Sequence, residues 1–288
     1  MIRLISYVKL LTRNAQISFM IAIIVSRLDP AGMNISKELL NSGFSDCGEL
    51  FDNNKVYENK KKEMKLYFIN SDQVFADYVD KIDCDLFVFA SKHSSESKKP
   101  SLTVHPIGNW GLAELGGRDF ELVMANASVM KNYLKLIKEL KDKLCINYEV
   151  VYEATHHGPY VEKPAIYIEI GSGPEQWSDT KAAKIICETI ISSDYKSKSK
   201  TVLGFGGLHY NPHFTRIALQ TDFAFSHMCP KHALKVITKE SVEKAINATL
   251  EDVEAFVVEK KGLSTEKKRI LSILKEFGLE ILKTDEIR

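Results

Sequence analysis

The histidines of this chain are the residues whose placement most clearly suggests chemistry. All eight lie between His93 and His232, and most stand beside a glycine, a proline or another histidine at the ends of predicted strands. Imidazole suits both acid–base catalysis near neutral pH and zinc binding. Because sites in α/β sheets form where strands end, this grouping indicates a functional centre rather than core packing.

The adjacent pair His156-His157 is the first candidate. It follows a predicted strand that ends at Tyr152. Neighbouring side chains in a strand point to opposite faces, so both histidines can reach one site only if the strand has already given way to a turn. The dipeptide Gly158-Pro159 supplies that turn. The alternative is that one histidine bonds to the backbone while the other is exposed.

Glu169 is the second candidate, because it lies inside an otherwise apolar strand. Burying an ionised carboxylate without a partner is costly. We therefore expect Glu169 to pair with a histidine, bind a metal, or act as a general base with a raised pKa. An edge-strand position facing water is the alternative. Glu153, three residues before the histidine pair, is a second candidate for the base.

His209 is the third candidate, in a segment that begins with Gly206 and Gly207. Paired glycines allow close backbone approach, and Asn211-Pro212 is typical of a helix N-cap followed by a first-turn proline. Free N–H groups there would point toward His209, ready for a phosphate or an oxyanion. We therefore predict that both glycines and Asn211 contact substrate.

Weaker signals come from His93, which follows a predicted strand, and from His105, which precedes Pro106. We assign both to substrate binding. His213 stands four residues after His209, as in helical zinc pairs, but Pro212 disfavours a helix through both. One more group has zinc-binding atoms without the spacing of a zinc finger, and we interpret it as structural: His227, Cys229 and His232.

The elements that must position these residues are short apolar strands alternating with helices. Strands are predicted at Ile21–Val25, Lys65–Ile69, Leu86–Ala90, Ile146–Tyr152, Ala165–Ile170 and Thr201–Phe205. Helices are predicted at Glu121–Leu140, Trp177–Ile191 and Ser264–Phe277, and surface loops at Asp52–Lys62, His93–Pro100 and Ser192–Lys200. Several strands are apolar on both faces, which predicts an α/β fold with a mostly parallel or mixed sheet flanked by helices.

Composition limits the classes of protein that fit. With 288 residues, 44% of them hydrophobic and 27% charged, the chain can bury a large core. Its net charge of only +1 means that nucleic-acid contact would depend on local lysine clusters. The five cysteines are odd in number and widely spaced, which argues against disulfides and favours a reducing cytoplasm.

The N-terminal segment superficially looks like a signal peptide, because basic residues precede an apolar run from Phe19 to Val25. No small-residue cleavage site follows, and the run is too short to span a bilayer. We therefore interpret Ile21–Val25 as the first buried strand, residues 1–19 as an N-terminal extension, and residues 20–288 as one α/β domain without membrane association.

Several motifs together resemble the archaeal and plant type of D-aminoacyl-tRNA deacylase. The likeness covers about residues 20–276 in order and spacing. The matching segments are Ser26 to Ile35, Ser91-Lys92-His93, Leu102 to Pro106 with Gly108-Asn109-Trp110, Glu153 to Pro159, Ile168 to Gly173 and Gly206 to Pro212.

This resemblance implies hydrolysis of D-aminoacyl-tRNA to free tRNA and D-amino acid in translation quality control, with a zinc requirement. It also implies a fold similar to those of peptidyl-tRNA hydrolases and nucleoside phosphorylases. From the chemistry of the side chains we predict His156, His157 and His209 as zinc ligands and Glu169 or Glu153 as the base. A metal-free reaction with a histidine base is an alternative, as are a peptidyl-tRNA hydrolase, a nucleoside phosphorylase and a non-enzymatic RNA-binding zinc protein.

Overall fold

A computed structural model of the chain describes residues 19–96 and 98–287. The strands are β1 (Ile21–Ser26), β2 (Ser45–Phe51), β3 (Asn54–Asn59), β4 (Met64–Ile69), β5 (Leu86–Lys92), β6 (Ser101–Pro106), β7 (Glu149–Tyr152), β8 (Ala165–Gly171), β9 (Lys200–Gly207), β10 (Phe223–Pro230), β11 (Val253–Val258) and β12 (Glu280–Lys283). The α-helices are α1 (Pro30–Asn41), α2 (Ala127–Leu144), α3 (Pro174–Trp177), α4 (Thr180–Ser192), α5 (Pro212–Gln220), α6 (Lys239–Asn247), α7 (Lys260–Leu263) and α8 (Lys267–Lys275). Short 3-10 turns lie at Gln73–Phe75, Asp77–Lys81, Lys231–Val236 and Ser264–Glu266.

The larger sheet has eight strands in the order β2-β3-β4-β1-β5-β8-β6-β7. Its centre, β4-β1-β5-β8, is parallel, whereas β6 runs antiparallel to β8 and parallel to β7. The β2-β3-β4 end is antiparallel. The sheet is therefore mixed, and helices cover it, which confirms the predicted α/β class.

A smaller sheet has the order β10-β9-β11-β12, with all neighbours parallel. The two sheets share a core, because Val202, Phe225 and Val257 of the smaller sheet belong to the same buried apolar cluster as Ile168 of the larger one. An isolated antiparallel bridge between Glu153 and Tyr210 joins the segments that follow β7 and β9. This bridge places the segment that follows β7 of the larger sheet beside the segment that follows β9 of the smaller sheet.

The predicted elements were mostly found, but several boundaries or assignments were wrong, including that of the strand predicted at Ile146–Tyr152, which begins only at Glu149. The segment Asp52–Lys62 contains β3 rather than a surface loop, and the predicted helix at Glu121–Leu140 begins only at Ala127. The helix predicted at Trp177–Ile191 is divided into α3 and α4, because Asp179 starts a new helix by accepting the N–H groups of residues 181 and 182. The helix predicted at Ser264–Phe277 opens as a 3-10 turn before α8 begins at Lys267.

Within the described ranges, the helices are all too short or too polar to traverse a bilayer. Strand β1 is found at the predicted residues, and all six of its residues are buried. In the sheet it lies between β4 and β5. The predicted extension falls almost entirely on residues 1–18, which lie outside the described ranges, and the assignment of residues 20–288 to one domain stays a prediction.

Candidate active site

Strand β8 carries the first part of the site, because its alternation separates apolar from polar side chains. Ile168 and its even-numbered neighbours face the main core, and Tyr167 and Glu169 face the opposite side. Strand β6 pairs His105 with Tyr167 and Thr103 with Glu169, so these side chains share a face. The rings of Tyr167 and His105 stack with centroids 4.9 Å apart. His105, Tyr167 and Glu169 therefore lie on one face of the larger sheet, toward its β7 end.

Glu153 is the centre of the site and has no exposed side-chain surface. Its Oε1 lies 3.0 Å from His93 Nδ1, and its Oε2 lies 2.9 Å from His209 Nε2 and 3.6 Å from His156 Nε2. Three imidazoles from three distant parts of the chain thus surround one carboxylate. The sequence indicated Glu153 only through its nearness to the histidine pair.

Glu169 is the second buried carboxylate and faces two histidines. Its Oε2 lies 3.5 Å from His93 Nδ1 and 3.6 Å from His105 Nε2. These contacts agree with the expectation that a carboxylate inside an apolar strand needs a partner. The alternative of an edge-strand glutamate facing water is wrong, since β8 lies between β5 and β6.

The charges of these groups support one another. Burial would raise the pKa of both glutamates, but His209 and His93 beside Glu153 hold its pKa well below the usual value, and His105 and His93 lower that of Glu169. Burial would lower the pKa of His93, yet the two carboxylates outweigh it and raise the pKa to about 10. Of the three alternatives for Glu169, pairing with histidine therefore agrees with the structure and a raised pKa does not, because the histidine partners stabilise the anion.

The imidazoles of His105, His156 and His157 form one group that could hold a metal ion. The Nδ1 of His105 donates to the carbonyl of Pro106 at 3.1 Å, that of His156 to Ala154 at 2.8 Å, and that of His157 to Gly158 at 2.7 Å. A hydrogen bond from Nδ1 to a carbonyl fixes the tautomer and leaves Nε2 with its lone pair free. Burial also lowers the pKa of His156 well below its usual value and that of His157 to about 4, so both are neutral at pH 7.

Within residues 19–96 and 98–287, three groups have donor atoms that all lie within 4.8 Å of one another. They are His105 with His156 and His157, His93 with Glu153 and His209, and His105 with Glu153 and Glu169. The zinc ligands predicted from sequence are thus divided between two groups, with His105 taking the place assigned to His209. His105 is fully buried with its Nε2 lacking a hydrogen-bond partner, so the predicted contact of this residue with substrate is not supported.

The loop between β6 and α2 forms backbone hydrogen bonds with the segment that carries the histidine pair. His157 has a φ of 43°, a left-handed conformation that is strained for a residue with a side chain. The N–H of Gly108 donates to His157 O at 3.0 Å, and that of Gly158 donates to Leu115 O at 3.0 Å. The segment between β6 and α2 thus keeps His157 in this conformation, and the strand has indeed become a turn there, as predicted.

A cavity of about 400 Å³, the catalytic cavity, opens onto these groups. His93, His156, His157, His209 and Glu169 line it, while Glu153 lies behind them. His209 is the most accessible of the imidazoles that contact Glu153, with 47% of its side chain exposed.

Sequence reasoning gave no role to Asp29 and Lys92, which also line the catalytic cavity. The carboxylate of Asp29 begins α1 by accepting the N–H of Gly32 and also accepts the N–H of Lys92. Its position before Pro30, as an N-cap ahead of a first-turn proline, was the available signal.

The glycines predicted to bind substrate lie elsewhere. Gly206 packs beside the backbone of Glu259 and Gly262, and the side chain of Asn211 closes over Gly207. None of Gly206, Gly207 and Asn211 lines the catalytic cavity, so their predicted substrate contacts and the oxyanion role of the glycines are not supported. Asn211 does occupy the N-cap position of α5, although its side chain makes no capping hydrogen bond.

The remaining histidines stay outside the site. His213 is exposed with Glu259 as its partner at 3.7 Å, and His227 is buried with its Nε2 donating to Ala248 O. Neither they nor Cys229 and His232 belong to a group of clustered metal-binding atoms in the described ranges.

Two comparisons with known proteins indicate the same family, and a third finds a similar solved structure. The sequence profile of the D-aminoacyl-tRNA deacylase family matches residues 80–282. Proteins named D-aminoacyl-tRNA deacylase from Pyrococcus furiosus and Archaeoglobus fulgidus are 42% and 34% identical to the chain, with 91% and 92% of the chain and 98% and 97% of the relative aligned. A crystal structure of a conserved protein of unknown function, AF0625, aligns over 93% of the chain and 96% of its own length, with a TM-score of 0.85 and 32% identity.

Proposed function

The chain belongs to the D-aminoacyl-tRNA deacylase family, and we propose that it hydrolyses the ester bond between a D-amino acid and tRNA, releasing both. The main support is the gathering of five imidazoles and two buried carboxylates beside one cavity. Such a cluster can activate water and move protons. Because aminoacyl-tRNA is made and used in the cytoplasm, we expect the reaction there.

We further propose zinc as the cofactor, held by His105, His156 and His157. The Nδ1 of each imidazole already donates to a backbone carbonyl, and the Nε2 of His105 is buried without a hydrogen-bond partner. Three imidazoles form a common donor set for catalytic zinc. When bound, such an ion lowers the pKa of a water molecule and polarises an ester carbonyl.

The proton acceptor that the geometry favours is His209. Its Nε2 lies 2.9 Å from Glu153 Oε2, so the buried carboxylate is placed to orient the ring while Nδ1 takes a proton. Glu153 is fully buried and acts as a positioning residue rather than as the base predicted from sequence. Glu169 lines the cavity but is the weaker base, because the neighbouring histidines lower its pKa.

The decisive experiment compares matched D- and L-tyrosyl-tRNA, with and without a chelator. We expect rapid release of D-tyrosine, slow release of L-tyrosine, loss of activity on chelation and recovery with zinc. Equal rates on both enantiomers would exclude chiral discrimination, and indifference to the chelator would exclude the zinc proposal. A peptidyl-tRNA substrate in the same assay tests the hydrolase alternative, and a nucleoside with phosphate tests the phosphorylase alternative.

A further inference from the structure

A second cavity meets the catalytic cavity at the histidine pair. This side cavity has a volume of about 500 Å³ and lies under the loop between β6 and α2. His156, His157 and Leu115 line both cavities. The two cavities therefore adjoin at the histidine pair.

The two cavities differ in charge and polarity. The side cavity has an apolar wall that includes Trp110, Leu112 and Val236, and its charged side chains include Lys235 and Glu114. The catalytic cavity contains three carboxylates and one lysine besides its histidines: Asp29, Asp72, Glu169 and Lys92. An anionic group thus meets less repulsion in the side cavity, and a cationic group is better placed in the catalytic cavity.

The substrate of the proposed reaction likewise has an anionic part and a cationic part. Its ester joins the terminal adenosine of tRNA, which has a flat base and a 5′ phosphate, to an amino acid with a cationic α-ammonium group. Bases bind to apolar and aromatic surfaces, and lysine binds phosphate. We infer that the terminal adenosine occupies the side cavity with its phosphate at Lys235, and that the aminoacyl group occupies the catalytic cavity.

Gly111 provides a way to test this inference, which rests on the proposed function. A Cβ built on Gly111 would have Val236 Cγ2 as its nearest neighbour, 3.8 Å away, which is an ordinary van der Waals distance. Both residues line the side cavity. A Cβ at position 111 therefore meets no backbone atom, and we expect a larger side chain there to take up space in the cavity, with Gly111→Ala as the matched control.

The test uses adenosine 5′-monophosphate as a binding probe and two substrates, D-alanyl-tRNA and D-tyrosyl-tRNA. We expect Gly111→Phe to abolish binding of the nucleotide and to lower kcat/KM by about tenfold or more, equally for both substrates. Gly111→Ala should leave both measurements near the wild-type values. A loss that is large for D-tyrosyl-tRNA and small for D-alanyl-tRNA would show that the side cavity holds the amino-acid side chain, and would overturn the inference.

Lys235→Ala tests the phosphate separately and does not depend on filling the cavity. We expect weaker binding of adenosine 5′-monophosphate and unchanged binding of adenosine, with Lys239→Ala, whose ammonium pairs with Glu276, as the control. Equal losses for nucleotide and nucleoside would overturn the assignment of Lys235. Binding of the nucleotide is measured without turnover, so specific binding in a protein that hydrolyses no D-aminoacyl-tRNA would refute the proposed function alone. Absence of nucleotide binding in an active enzyme would refute the inference alone.

Discussion

His209 and His213 lie close together in the sequence, but their surroundings in the structure differ. Both are exposed histidines at the start of one segment, and each lies near a carboxylate. His209 contacts the buried Glu153 at 2.9 Å and lines the catalytic cavity, whereas His213 lies 3.7 Å from Glu259 and lines no part of it. Of these two histidines, His209 alone is therefore placed to exchange a proton with a substrate.

We expect His209→Gln to lower kcat about a hundredfold or more, the usual effect of losing a general base. KM for D-tyrosyl-tRNA should change little, because glutamine can still occupy the space. His213→Gln is the matched control and should retain wild-type kcat. Single-turnover kinetics separates the chemical step from release of product, and a similar chemical rate in His209→Gln and wild type would contradict the proposed base.

His227 has a structural role that makes stability depend on pH. Burial lowers its pKa to about 4 from an ordinary value of 6.5, although hydrogen bonding to backbone carbonyls partly opposes the shift. A histidine whose folded pKa is depressed stabilises the fold above pH 6.5, and this contribution is lost as the pH falls toward 4. The expected loss at pH 5 is about 2 kcal/mol.

Urea unfolding of the wild type and of His227→Gln at pH 7.5 and pH 5 measures this effect. Glutamine does not titrate, so the variant should lose less stability between the two pH values than the wild type. The difference between the two proteins isolates His227 from the other buried histidines. The same pH dependence in both would show that His227 does not account for the change.

At the scale of elements, the contact between the histidine turn and the β6–α2 loop is the least tolerant part of the site. A Cβ on Gly158 would lie 2.2 Å from Gly117 N and 2.4 Å from Val74 O, both backbone atoms. These distances mean that three segments meet with no space for a side chain. The position of His157 therefore depends on a glycine that takes no part in chemistry.

Gly158→Ala should destabilise the fold by about 1–3 kcal/mol, the usual cost of overpacking. The deacylation rate should fall as well, because a shift of Gly158 away from the clash displaces the adjacent His157. Gly173→Ala is the control, since its nearest non-local atom, Gln176 Oε1, is 3.4 Å away. Thermal unfolding and deacylation rates measured together would contradict this view if Gly158→Ala kept wild-type values of both.

At the scale of the whole molecule, zinc would connect parts of the chain that lie far apart in sequence. His105 belongs to β6, and His156 and His157 follow β7, with α2 between them. A metal that binds only the folded state stabilises it by mass action, by about 2.7 kcal/mol at a hundred times its Kd.

We therefore expect zinc to raise the Tm of the metal-free protein by roughly 5 °C or more, given a shift of about 2–4 °C per kcal/mol for large domains. Magnesium should have no effect, because imidazole is a poor ligand for it. His157→Ala should reduce the shift, and His213→Ala should not. A Tm that is the same with zinc and with chelator would remove the proposed site, whatever the activity.

The sequence by itself determined the class of fold and most of the residues at the site. Alternation and apolar runs predicted β1, β4, β5 and β8, because these signals come from neighbours along the chain. The strand β6 was not predicted, since Ser101, Thr103 and His105 interrupt its apolar pattern. Patterns along the chain also identified four residues that core packing does not explain: His156, His157, Glu169 and His209. The segments that resemble the family contain all four.

Only the tertiary structure decided how these residues divide into roles. The pairing of β6 with β8 brings His105 beside Tyr167, and the bridge from Glu153 to Tyr210 brings His209 to a carboxylate 56 positions earlier. Neither contact leaves a trace in local sequence, because side-chain partners across strands depend on register rather than on neighbours. For the same reason the two glycines at the end of β9 looked like substrate contacts, although the side chain of Asn211 and the backbone of Glu259 and Gly262 already occupy the space around them.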